Sequence, residues 1–126
     1  MTWSVDPRSD VPPSRQLVEG LLDAIARGEL GPGAQLPSVR ALAAEALVNH
    51  NTVARAYRDL EQMGATEGRN GLGVFVTRGG VSVARAARRA ATFVAFRRAA
   101  HEALRAGHRR ADLERVLFDD EGKETA

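Results

Sequence analysis

The sequence predicts a mainly helical fold with one small β-hairpin, and three observations favour it. Apolar residues recur at helical spacing in successive segments between residues 14 and 63. The dipeptide Asn70-Gly71 then lies between two short runs, and residues 82–106 contain neither glycine nor proline. Helical periodicity, a turn dipeptide and an unbroken stretch of helix-forming residues are typical of amphipathic helices, a hairpin and a further long helix.

The N-terminal part predicts a short strand and a first helix. Apolar and polar residues alternate around Trp3 and Val5, which favours a short edge strand. A helix is expected at about residues 14–27, where leucine and isoleucine recur at helical spacing. Gly28 ends this helix, and the loop 28–33 cannot continue it because it holds three glycines and a proline.

Two further helices are predicted with a tight turn between them. Ser38 is expected to cap a short second helix that ends near Ala46, because its hydroxyl can accept from the N–H groups of the first turn. Asn49 is a second candidate cap. The third helix runs from His50, carries an amphipathic apolar stripe, and stops at Gly64.

A hairpin is predicted directly after the third helix. Residues 65–67 and 74–77 flank a glycine-rich turn, in which Asn70-Gly71 favours a type I′ geometry. Two helices joined by a tight turn and followed by a hairpin form a winged helix-turn-helix, which places its second helix in the DNA major groove. We therefore expect residues 1–78 to form a DNA-binding domain.

The C-terminal part predicts a helical dimerisation segment at residues 79–118. Gly79-Gly80 indicates a hinge, a long helix follows over 82–106, and a short last helix precedes a frayed tail at 119–126. The apolar stripe of the long helix consists mostly of alanine, so it buries too little surface to be stable alone and is expected to pack on another chain. The candidate dimer contacts are Val83, Ala87, Ala91, Phe93, Val94, Phe96, Leu104, Leu113, Val116 and Leu117.

The charge distribution supports nucleic-acid binding only weakly. The net charge is +2, but residues 1–80 carry 8 Arg against 9 acidic residues, and the positive excess lies in residues 81–126. Five arginines of the first part nevertheless stand where a duplex would lie, namely Arg40, Arg55, Arg58, Arg69 and Arg78. The arginine run along the long helix is interpreted as a solvated face.

Several functional classes are excluded by composition. The chain has no cysteine, which rules out disulfides, thiolate catalysis and cysteine-based zinc sites. No apolar run approaches the roughly 20 residues needed to span a bilayer, and the N-terminus lacks the pattern of a signal peptide, so a cytoplasmic protein is expected. With no catalytic Ser/His/acid set, phosphate loop or metal cluster in the sequence, we expect neither an enzyme nor a metal or cofactor site.

Motifs in fixed order connect the chain with a known family. They are Leu36-Pro37-Ser38-Val39-Arg40, Asn51-Thr52-Val53, Arg55-Ala56-Tyr57 and Gly71-Leu72-Gly73-Val74-Phe75-Val76. In these motifs the chain resembles the GntR family of bacterial transcription regulators. The stretch after the hairpin is short, about 46 residues, so we expect neither a large effector domain nor a fused aminotransferase, and the chain resembles the small YtrA-like subfamily.

The resemblance implies a homodimeric repressor on a pseudo-palindromic operator, and members of the family often control transporter operons and their own genes. Carried over position by position, it implies DNA contacts by Arg40, Asn49, His50, Asn51, Thr52, Asn70 and Gly71. Because Ala54 stands where some relatives have arginine, Arg55 and Arg58 are expected to supply phosphate contacts, with Arg69 beside them on the hairpin. On the hairpin, Asn70 stands where relatives frequently have a second basic residue, and Leu72 is apolar.

Some interpretations stay open at this point. Asn49 can act as a helix cap or as a base contact, and capping is the first expectation, whereas Asn51 and Thr52 are expected to contact DNA. Tyr57 and Phe75 are expected in the core. An unidentified small-molecule effector is a further candidate partner, expected between protomers. The alternative function is a winged-helix protein-interaction module without a specific operator, which the charge of residues 1–80 favours.

Overall fold

The computed structural model describes residues 2–121. Five helices and two strands occur in this range, in the order α1 (Pro13–Ala26), α2 (Val39–Ala46), α3 (His50–Met63), β1 (Thr66–Arg69), β2 (Gly73–Val76), α4 (Gly80–Arg105) and α5 (Arg110–Glu121). The predicted class, mainly helical with one hairpin, is confirmed. The chain divides into two compact units between Arg89 and Ala90. Of the tail expected at 119–126, the first three residues belong to α5, and residues 122–126 lie outside the described range.

Helices α1, α2 and α3 surround one apolar core in the first unit. The side chains that are almost completely buried there include Leu17, Leu21, Ile25, Leu42, Val53 and Leu60. Each buried leucine or isoleucine side chain stabilises the fold by about 1.5–3 kcal/mol relative to exposure. This packing holds α3 in place by its inner face, so its outer face is free for another task.

Both predicted helix caps are confirmed. The Ser38 hydroxyl accepts from the Ala41 N–H at 3.0 Å, and the Asn49 Oδ1 accepts from the Asn51 N–H at 2.7 Å. Between the two helices the chain turns at Leu47, whose φ of 58° lies in the left-handed region. A short polar side chain at each cap and one left-handed residue therefore define the tight turn.

The N-terminal segment does not form the predicted edge strand. The Trp3 N–H donates to the Glu45 carboxylate at 2.7 Å, and the half-buried indole ring packs beside Gly20 on α1. The side chain of Gln16 exchanges two hydrogen bonds with the backbone of Asp6, at 2.8 and 3.0 Å. Because side chains satisfy these backbone groups, the segment adheres to the helices without joining a sheet.

The hairpin pairs β1 with β2 in antiparallel register, from Thr66 opposite Val76 to Arg69 opposite Gly73. Its turn is not type I′, since that geometry needs a positive φ at both central residues and only Gly71 has one. The Leu72 N–H donates to the Arg69 carbonyl at 2.9 Å, which closes a turn with Gly71 at its third position, as in type II.

A third segment pairs with the other edge of β2, which the sequence did not predict. The N–H groups of Gly33 and Leu36 donate to the carbonyls of Val76 and Val74 at 2.9 and 2.8 Å, and the Val76 N–H donates back to Ala34 at 2.9 Å. The end of the loop between α1 and α2 is thus tied to the hairpin, and β2 becomes the central strand.

The hinge predicted at Gly79-Gly80 is wrong. Gly80 is buried and begins α4, and a Cβ there would lie 2.6 Å from the Ala65 carbonyl oxygen and 2.7 Å from Val76 Cγ1. Ala84 is fully buried in the core of the first unit. The start of α4 is therefore packed onto the winged domain, and the first unit extends beyond the boundary expected at residue 78.

Two of the residues expected at the dimer interface lie on this packed start of α4. Val83 and Ala87 are half-buried against the core of the first unit. On the same part of α4, Arg85 Nε donates to the Ala26 carbonyl at the end of α1 at 3.1 Å. The apolar surface of these first turns is used within the chain, because the helix begins directly at the end of the hairpin.

Candidate nucleic-acid interface

Helix α3 separates its residues into a buried stripe and an exposed polar face. Val53, Ala56 and Leu60 are fully buried, whereas His50 and Asn51 are exposed at the first turn. This arrangement follows from the i, i+3, i+4 spacing of the apolar residues. Thr52, which was expected to contact DNA, is half-buried, and so is Ala54.

A buried tyrosine on α3 holds the segment that leads into α2. Tyr57, predicted as a core residue, is 6% exposed, and its hydroxyl donates to the Pro37 carbonyl at 2.6 Å. Burial raises the pKa of the Tyr57 hydroxyl above its usual value, which keeps it protonated as a donor. The hydrogen bond ties α3 to the entry of α2 and sets the relative position of the two helix starts.

The N-terminal ends of α2 and α3 are electropositive. Neither helix carries an acidic residue in its first turn. Unneutralised helix starts favour anions, because the backbone N–H groups point outward and the helix dipole is positive there. Asn49 uses its Oδ1 for capping, so its side-chain amide nitrogen is the group that remains for a ligand.

Three of the predicted arginines are exposed and unengaged. Within residues 2–121, Arg40 on α2 and both Arg55 and Arg58 on α3 form no ion pair and no side-chain hydrogen bond. Exposed guanidinium groups that form no ion pair within the protein are suited to phosphate oxygens. Their placement on two successive helices concentrates positive charge locally, although residues 1–80 as a whole carry one more acidic residue than arginine.

A groove of about 420 Å³ lies between α3 and the start of α1. It brings Asn51, Thr52, Arg55 and Arg58 together with residues 12–14. The sequence analysis did not associate the start of α1 with the candidate site. No periodicity or spacing signals this neighbour, because it results from the way α1 packs against α3.

The hairpin, which we call the wing (residues 66–76), presents its tip to solvent. Asn70 and Gly71 are exposed there, as expected of contact residues. Arg69, by contrast, is engaged within the wing: its guanidinium pairs with Glu67 at 3.1 Å and lies 4.4 Å from the centroid of the half-buried Phe75 ring. The charge of Arg69 is thus partly neutralised at the position where a phosphate contact was expected.

The second unit carries most of the exposed large apolar side chains. Phe93, Val94, Phe96, Val116 and Leu117, all predicted as dimer contacts, are exposed, and so is Ala91. Leu104 and Leu113 are half-buried. Phe118, which is 73% exposed, extends this set and was missed because it lies next to the predicted tail.

Two other kinds of site were sought in the part of the chain that the structure describes. It contains no group of three or more His, Asp or Glu side chains placed to hold a metal ion. None of its helices is both long and apolar enough to cross a membrane.

A helix-turn-helix with a polar, exposed second helix and an adjoining wing defines a winged-helix DNA-binding domain. Residues 13–76 match the model of the gntR family of bacterial regulatory proteins. Because this match covers just over half of the chain, the chain belongs to the GntR family. The family predicted from the sequence motifs is therefore confirmed.

Similar proteins support the same assignment. The transcriptional repressor YtrA of Bacillus subtilis is 38% identical over 73 residues, which cover 58% of this chain and 56% of YtrA. The chain matches somewhat more than half the length of such curated relatives. The crystal structure of a transcriptional regulator from Oenococcus oeni is similar with a TM-score of 0.71 at 27% identity, covering 91% of this chain and 95% of that one.

A further similar structure contains DNA. The DNA-binding domain of AraR in complex with operator ORX1 has a TM-score of 0.56 at 25% identity and covers 60% of this chain and 96% of that domain.

Proposed function

We propose that this chain is a homodimeric transcriptional repressor that binds a palindromic operator through α2, α3 and the wing. The observation that carries the proposal is the exposed face of α3, where His50 and Asn51 stand beside Arg55 and Arg58. The side chains on this face do not contribute to the core, since the apolar stripe on the opposite side of α3 packs the helix against the rest of the domain.

The chemistry of this face suits duplex DNA. An asparagine amide can pair with both the N6 and N7 positions of adenine, and an arginine with O6 and N7 of guanine. Arginines outside the reading positions bind phosphates, which position the protein without specifying the sequence. Asn51 and Arg40 are thus the candidate base contacts, and Arg55 and Arg58 the candidate phosphate contacts.

The dimeric form is supported by the exposed apolar side chains of the second unit. Aromatic and aliphatic residues exposed together are typical of surfaces that are covered by a partner. Two copies related by a two-fold axis would present two α3 helices to half-sites about one helical turn, roughly 34–36 Å, apart. A palindromic operator follows from that symmetry.

The regulatory direction and target genes rest on the family. YtrA of Bacillus subtilis is described as a repressor, and relatives of this family often regulate transporter operons together with their own genes. We propose the same for this chain. Deletion of the gene should raise the transcript of a neighbouring transporter operon, and an inverted repeat should lie in its promoter.

Operator binding can be tested directly. Selection from random duplexes should enrich a palindrome, and Arg40→Ala or Asn51→Ala should weaken binding to it by about 1–3 kcal/mol in gel shifts without unfolding the protein. Arg27→Ala is the matched control, because it removes the same charge at the end of α1 that lies about 20 Å from the groove. Unchanged affinity of both interface variants would contradict the proposal.

The alternative is a winged-helix protein-interaction module. It is favoured by one observation, the net acidic balance of residues 1–80. An interaction module would enrich no sequence from random duplexes. It would also show no steep salt dependence, whereas phosphate contacts make the logarithm of affinity fall by about 0.9 per contact for each tenfold rise in salt.

A further inference from the structure

The tip of the wing presents an apolar side chain, Leu72, whose backbone N–H and carbonyl are both hydrogen-bonded within the protein. Leu72 is 65% exposed and stands between two glycines that both have positive φ, Gly71 at 72° and Gly73 at 124°. Its N–H donates to the Arg69 carbonyl at 2.9 Å, and its carbonyl accepts from Gln35 Nε2 at 2.9 Å. The backbone of Leu72 therefore has no free polar group, and the leucine side chain is what it offers to a ligand.

Gln35 holds this tip from a distant part of the chain. It lies in the segment paired with β2, opposite Phe75, and its side chain reaches along the wing to Leu72. A Cβ on Gly73 would stand only 2.6 Å from Gln35 Nε2, so glycine is needed there for the hydrogen bond to form. Both contacts limit the freedom of the tip before any ligand binds, which lowers the entropy lost on binding.

The tip also lacks a free positive charge. Arg69, the cation next to it, is paired with Glu67 and stacked on Phe75, and Asn70 is neutral. A DNA phosphate group would therefore gain little electrostatic attraction from this tip. Its apolar and amide groups are better suited to a groove floor than to the charged backbone of a duplex.

We infer that Leu72 is a specificity residue that enters the minor groove beside the half-site bound by α3 and disfavours G·C pairs there. This inference rests on the proposed function. Two residues separate the end of α3 from the wing, and its strands of four residues extend about 13 Å, so a wing beside a bound α3 is long enough to reach the neighbouring minor groove.

The discrimination follows from the chemistry of the minor groove. A·T pairs display only acceptors there, whereas G·C pairs add the guanine N2 amino group, a donor that projects into the groove. Leucine offers that donor no acceptor and removes water from it, which is unfavourable. Apolar side chains in the minor groove are an established means of contact for DNA-binding proteins.

The decisive test replaces bases in the operator that selection provides. The pairs beside each half-site are made A·T, G·C or inosine·cytosine; the last keeps the major-groove pattern of G·C but lacks the N2 amino group. The full-length protein should bind the A·T and inosine·cytosine duplexes about fivefold or more tightly than the G·C duplex, at constant salt.

Two variants assign the effect to the wing. Leu72→Ala should reduce this flank preference to less than about twofold and leave the preference within the half-sites unchanged. Gln35→Ala should also reduce the flank preference, although it retains the leucine, because the tip is no longer held. Met63→Ala is the matched control, since it shortens another exposed apolar side chain, at the far end of α3, and should retain the full preference.

Each other outcome overturns the inference in a recognisable way. Equal affinity for the three duplexes, or a flank preference that persists in Leu72→Ala, would show that Leu72 does not discriminate. Inosine·cytosine behaving like G·C would place the contact outside the minor groove. If selection enriches no operator at all, the proposed function fails as well, whereas an operator with indifferent flanks removes only this inference.

Discussion

Leu47 adopts a backbone conformation that favours glycine. Its φ of 58° and ψ of 49° are left-handed, and its side chain is 89% exposed, so no buried contact compensates the strain. A left-handed conformation costs an L-residue roughly 1–2 kcal/mol, because Cβ approaches the backbone too closely. The tight turn between α2 and α3 is nevertheless formed, since the caps and the core around it determine the path of the chain.

We predict that Leu47→Gly stabilises the protein. Removal of Cβ relieves the strain, and the greater freedom of glycine in the unfolded chain offsets part of this gain, which leaves about 0.5–1 kcal/mol. Leu47→Ala keeps Cβ and should stay within about 0.5 kcal/mol of the parent protein. Urea denaturation of the three proteins measures the difference; a glycine variant no more stable than the alanine variant would refute the prediction.

At the scale of elements, the most consequential junction is the start of α4. The helix begins against the end of the hairpin, where Gly80 approaches Ala65 and Val76 too closely for a Cβ. Arg85 then donates a hydrogen bond to the carbonyl at the end of α1, and Arg88 Nε lies 3.9 Å from Asp23 Oδ1 on that helix. The first turns of α4 are thus an integral part of the winged domain.

Two adjacent glycines give a matched test of this junction. Gly80→Ala should lower the free energy of unfolding by about 1–3 kcal/mol, because the new methyl group must displace backbone or core atoms. Gly79→Ala meets nothing within 4 Å and has no positive φ, so it should be neutral or stabilise by up to about 1 kcal/mol. Thermal unfolding of both variants checks this. Equal effects would mean that Gly80 is not closely packed against Ala65 and Val76.

For the whole molecule, the division between Arg89 and Ala90 separates two kinds of surface. The first unit has its own core with few exposed large apolar residues, whereas the second exposes several on short stretches of α4 and α5. A unit whose apolar residues remain exposed is expected to obtain its stability from a partner. The DNA contact and the dimerisation that we propose therefore belong to different units.

This division predicts the behaviour of a shortened chain. The full chain should sediment as a dimer, and a fragment of residues 1–89 should unfold cooperatively as a monomer, because it retains the core and the packed start of α4. Within the full chain, Phe96→Asp should shift the equilibrium to monomer, while the conservative Phe96→Leu should remain dimeric. Sedimentation velocity distinguishes these states; a monomeric full chain would contradict the proposed dimer.

The sequence by itself determined the order of the five helices and the hairpin, both helix caps and the family, because these depend on residues close together along the chain. Apolar periodicity, Ser38 and Asn49 at the caps, and the glycine-rich wing each carry a local signal. The arginines of α2 and α3 were also identified as candidate contacts in this way, since their place on each helix follows from the helical repeat.

Only the tertiary structure decided which of these surfaces remain free. It paired residues 33–36 with β2, buried Gly80 where a hinge was expected, and engaged Arg69 with Glu67 and Phe75. It also placed Gln35 at the wing tip. All of these are contacts between groups whose proximity depends on how the helices and the hairpin pack, and no local pattern encodes that packing.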